Sequence, residues 1–239
     1  MAHAGFHSFR SRAIGWFFIA ATISAIIGLK LYDPVLTAND FVVAASNHYT
    51  QIVFGAVNEL VLVVTAMGTG IMLYPVLKRY DEDMATGYLC FRILEVVFIM
   101  IGIVSVLGAL SVSQLYINGV IANKNAAQIM MLGFIGVHKW VFILGPNFIL
   151  ALNTFIYSYV FYQAEIIPKN LSGMGLLASC MIMVAAILEM FGVIEQMSLC
   201  GIVLALPIAL YELILAVWLL MKGFTVINET GGVAVMVAQ

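Results

Sequence analysis

Phe91-Arg92-Ile93-Leu94-Glu95 places a base and an acid three residues apart near the start of a run that stays apolar through Val112. Whether that run is a soluble core helix or a membrane span decides the fold, and composition decides between the two. Of 239 residues, 64% are hydrophobic and only 9% charged, and the mean hydropathy is +1.09. Soluble domains carry about 25% charged residues. A soluble fold of this length could not hide so much apolar side chain, so the surplus faces lipid. Arg92 and Glu95 then sit inside a membrane span, where charges are costly and need partners.

Working outward, spans need about 20 apolar residues each. The candidate segments are Ile14 to Leu29, Val53 to Leu77, Thr86 to Val112, the second part of Ile129 to Gln163, Met174 to Ile194 and Leu199 to Met221. The first also has the basic start of a signal peptide, but its Ser24–Lys30 exit lacks a small-x-small cleavage site, so it is read as a helix. Tyr32 to Tyr49 reads as a loop with a short interfacial helix at Phe41–Ser46. Between 129 and 163 the pattern predicts a short helix to about Trp140, a break or kink at Pro146, and a fourth span beyond it. The predicted fold is therefore all-α: a polytopic membrane protein with six transmembrane helices in one bundle. One domain covers residues 1–223, and 224–239 reads as a flexible polar tail.

Lys and Arg set the orientation. Six spans put Arg10, Arg12, Lys78, Arg79, Arg92, Lys169 and Lys222 on one side, and Lys30, Lys124 and Lys139 on the other. Seven against three places both termini in the cytoplasm. A net charge of −2 with no basic run excludes a nucleic-acid role. The expected partners are the lipid bilayer, a small-molecule ligand, and a second copy or a larger membrane complex.

Depth selects the candidate residues. At 1.5 Å per residue, Glu95 lies roughly 13 Å from the start of its span and Glu212 roughly 15 Å from Lys222. Asn153 reaches a similar level. Arg92, Glu95, Asn153 and Glu212 are thus expected to share a layer that serves as a ligand or proton site. A purely structural ion pair at i,i+3 accounts for the first two equally well. Glu59, Asn58, His138, Asn147 and Glu189 form an expected outer polar layer. His138, next to Lys139 and Trp140, also suits an interfacial anchor.

Catalytic signatures are missing: there is no HExxH, GxGD or Gly-x-Ser-x-Gly. Cys90, Cys180 and Cys200 are isolated and suggest neither metal nor disulfide. No cofactor is specified, and the sequence leans away from an enzyme. Three functions stay open: binding or transport of a small molecule or proton, a structural or assembly subunit, and an intramembrane enzyme or cofactor protein using His138 with Glu59 or Glu189.

Three motifs are similar to those of a known family. The first is the Arg92/Glu95 pair after the Tyr74-Pro75-Val76-Leu77-Lys78-Arg79 helix end. The second is the Pro168-Lys169-Asn170-Leu171-Ser172-Gly173 turn. The third is Tyr211-Glu212-Leu213 with Trp218 to Gly223. Together they resemble the bacterial membrane-protein family catalogued as domain of unknown function 4386, over about Arg12 to Gly223. The resemblance implies six helices, a multi-pass protein of the prokaryotic cytoplasmic (inner) membrane, no assigned activity, and recurrent positions at Arg92, Glu95, Pro168 and Glu212. The His138 region departs from the family's smoother pattern.

Overall fold

The computed structural model describes residues 2–227 and 233–235. Among them, six helical runs are long and apolar enough to cross a membrane. In order these are α1 (Ala2–Leu31), α4 (Tyr49–Leu77), α5 (Glu82–Ile117), a continuous run from α6 (Lys124–Phe142) through a π-helical segment (Ile143–Ile149) into α7 (Leu150–Ala164), α8 (Lys169–Met190) and α9 (Leu199–Met221). Short helices α2 (Asp33–Leu36) and α3 (Phe41–Asn47) fill the first connection, with α3 covering the segment expected to be a short helix. Apolar side chains such as Phe54, Val64, Ile71, Val104 and Leu177 point outward from the bundle. That surface is suited to lipid, since a soluble monomer does not expose so large an apolar area.

Several helices outrun their apolar windows, because polar residues at a helix end are compatible with helix. At the start of α5, Asp81 caps the Met84 amide at 2.9 Å, and Glu82 and Asp83 suit the positive end of the helix dipole. With 36 residues, α5 extends about 54 Å, well beyond a hydrocarbon core of about 30 Å. Its far end packs with α2, α3 and α6 around Tyr32, Val42, Ala109, Leu110 and Met131. α8 stops at Gly192, whose φ of +68 allows the Val193 amide to reach the Leu188 carbonyl at 2.9 Å.

No break occurs at Pro146. Proline lacks an N–H and its ring crowds the carbonyl one turn back. The wider π turn accommodates it and keeps the helix continuous, so 129–147 is joined to the fourth span. Gly145 completes the fit, since a Cβ there would lie 2.5 Å from Phe98 Cβ. The expected flexible tail falls partly outside the described residues. Its described part begins docked: Phe224 packs on Phe161, and the Thr225 amide donates to the Ile166 carbonyl at 2.8 Å. Thr225–Ile227 then pairs antiparallel with Val233–Val235.

At the α2–α3 end, Lys124 Nζ meets Asp40 Oδ2 at 2.6 Å. That contact, first through its hydrogen bond, holds the Asp40 carboxyl below the usual carboxylate range. A depressed carboxylate pKa contributes stability above its unfolded value and loses it as pH falls through the folded one. Lys124→Met is therefore expected to return Asp40 to ordinary carboxylate titration. A carboxyl-detected NMR titration of both proteins checks this; identical midpoints would show that the pair is not formed in solution.

Candidate functional site

Arg92 and Glu95 face the middle of the bundle at 3% and 4% exposure. Tyr88, Arg92 and Glu95 follow at i, i+4 and i+7, so one stripe of α5 carries all three inward. The guanidinium uses a single nitrogen on its own helix: Nη1 donates to Glu95 Oε2 at 3.0 Å and to Oε1 at 3.1 Å. From α7, the Asn153 amide donates to the same Oε2 at 2.5 Å. The Tyr88 ring lies under the guanidinium, 5.6 Å from centroid to Cζ. Three of the four residues expected in the inner layer are thus brought together.

Glu212 is not paired with them. It is half-buried and accepts a long 3.4 Å hydrogen bond from Thr22 on α1. It lies within electrostatic reach of Arg92, yet no ion pair within 4 Å joins the two among the described residues. Three tyrosines with no exposed surface bridge the gap. Tyr157 meets Tyr88 edge-on at 5.8 Å and stacks on Tyr211 at 6.1 Å, whose hydroxyl bonds the Ser158 hydroxyl at 2.9 Å. Sequence reading missed Tyr88 and Tyr157 and named Tyr211 only within a family motif, not as a site residue. The signal was present in the spacing, because Tyr88 is four residues from Arg92, Tyr157 four from Asn153, and Tyr211 adjacent to Glu212.

This layer is rich in buried polar atoms without hydrogen-bond partners. They are Arg92 Nε and Nη2, Asn153 Oδ1, Thr154 Oγ1 and the hydroxyls of Tyr88 and Tyr157. Native interiors leave few such atoms, and each calls for an explanation.

The residues expected in one outer layer fall into three places. Asn147, in the π segment, donates to Glu189 on α8 at 2.8 Å, and the contact is buried. Asn58 donates to the Ser24 carbonyl at 2.7 Å. Glu59 and His138 line a cavity of about 60 Å³ beside the π segment, with Tyr32 edge-on to the imidazole at 6.0 Å. Among the described residues no group of three or more His, Cys, Asp or Glu converges as a metal site.

No curated protein and no solved structure matches the chain. Residues 13–223 do match a family model, and the match takes in both the Arg92/Glu95 stripe and Glu212. On that match the chain belongs to the family described as Domain of unknown function (DUF4386).

Proposed function

We propose that this membrane protein binds, and transports across the membrane, a small oxyanion such as a carboxylate, at the Arg92 layer. The observation that carries the reading is the use of the guanidinium. Glu95 occupies Nη1 alone, and the Nε/Nη2 edge has no partner. That edge presents two parallel N–H donors, the fork that grips a carboxylate or phosphate bidentately. The hydroxyls of Tyr88 and Tyr157 supply further unpartnered donors in the same layer. Glu212, lacking a cationic partner, is the group suited to take up a proton as the anion enters. The protein would lie in the cytoplasmic membrane of a prokaryote with both termini inside, as its Lys and Arg distribution favours.

The test is a melting series on purified protein with acetate, benzoate and phosphate against chloride. Saturable stabilisation is expected from at least one oxyanion, following the linkage of binding to folding. Arg92→Lys keeps the charge for Glu95 but lacks the fork, and is expected to weaken that response at least tenfold. A wild-type protein indifferent to every anion would leave the layer as architecture and favour a subunit of a larger complex.

A further inference from the structure

The cavity at Glu59 is separate from the Arg92 layer, and its chemistry is opposite. Glu59 is half-buried and has no ion pair within 4 Å among the described residues. His138, at 8% exposure, contacts Tyr32 and Phe142 only through ring faces and edges. Tyr32 is fully buried; its hydroxyl lies beside the Glu59 carboxylate and has no other partner. Pro146 also borders the cavity. The remaining walls are apolar, with the rings of Phe98 and Phe142 among them. A carboxyl group thus stands without a counter-charge in a small space walled by aromatic rings and one imidazole.

We infer that this cavity binds a small ammonium ion, either ammonium itself or methylammonium. Glu59 supplies the charge. A neutral His138 nitrogen supplies an acceptor for the N–H groups, and the rings of Phe98 and Phe142 supply cation–π attraction. Calcium and magnesium are poorly served, because they require six or more oxygen ligands in a defined shell. A volume of about 60 Å³ exceeds the roughly 10–15 Å³ that one water needs and admits one such small ion. This inference does not depend on the oxyanion reading, since no residue is shared.

The experiment is isothermal titration of the whole protein in lipid nanodiscs with ammonium, methylammonium, tetramethylammonium and sodium chlorides. Saturable binding of the first two and none of the last two is the expected result. Glu59→Gln keeps the shape but removes the charge, and should weaken binding at least tenfold, while Arg92→Lys leaves it unchanged. A second variant guards against misfolding. A Cβ at Gly102 would meet Val141 and His138 at 3.5 and 3.7 Å, an ordinary contact, so Gly102→Ala fits while narrowing the cavity. It should weaken methylammonium several-fold more than ammonium. Equal responses to all four salts, no heat from ammonium, or full binding in Glu59→Gln would each overturn the inference; the last two mean that Glu59 simply holds a proton.

Discussion

Replacing Arg92 with alanine is expected to destabilise the protein by about 3–5 kcal/mol, the cost of removing one partner from a buried ion pair. For a chain of this size that corresponds to a fall in melting temperature on the order of 10 °C. The loss follows from what remains. Glu95 is 4% exposed and would keep only the Asn153 amide at 2.5 Å. A carboxylate left in that position has lost its counter-ion in a medium with little capacity to screen it. Adding Glu95→Gln removes the stranded charge and preserves an acceptor for Asn153. The double variant should therefore recover most of the loss despite carrying two substitutions. Glu95→Gln alone strands the guanidinium instead, so it too should fall below the double variant. Melting of detergent-purified proteins, read by intrinsic fluorescence, decides the matter. If the double variant melts as low as Arg92→Ala, the coupling is absent and the guanidinium acts through the Tyr88 ring alone.

The stripe behind this expectation is legible in the sequence. Arg92 and Glu95 sit on one helix, so their separation is fixed by helical geometry once the segment is read as a span. Asn153 could be added from depth alone, because it is close to Glu95 in height and happens to face it. Glu212 shows where depth runs out. Its height agrees with the layer, but height says nothing of the direction in which a side chain leaves its helix, and α9 turns it toward Thr22. The outer layer divided for the same reason. Asn58 and Glu59 are adjacent in sequence and about 100° apart around the helix, so one reaches a backbone carbonyl on α1 and the other a cavity. Helix ends were misplaced wherever hydropathy was the only guide, because polar caps continue a helix that apolar counting ends. At Pro146 the local rule allows a break or a kink, and the π turn leaves the helix unbroken there.

Two glycines near the start of α8 provide a sharper test of the packing beneath this layer. Gly173→Ala should be neutral or slightly stabilising, because a Cβ there meets nothing within 4 Å and alanine is the better helix former by up to about 1 kcal/mol. Gly175→Ala, two residues on, should cost about 3 kcal/mol, the upper part of the usual range for overpacking. Its Cβ would fall onto the Ser158 hydroxyl and the ring end of Tyr211, with the Tyr211 oxygen 2.6 Å away. Neither group is free to retreat. The two hydroxyls are bonded to one another at 2.9 Å, and Tyr211 is buried and stacked on Tyr157. Close approach through small residues is how membrane helices gain contact where no hydrophobic force drives them together. A methyl at this point pushes apart α7, α8 and α9 at once. Because Tyr211 precedes Glu212, the same substitution should also weaken any oxyanion response of the Arg92 layer, whereas Gly173→Ala leaves it intact. Melting and anion titration on the two variants separate the cases. Equal stability of Gly175→Ala and Gly173→Ala would mean that the three helices do not meet as closely as the Ser158–Tyr211 contact requires.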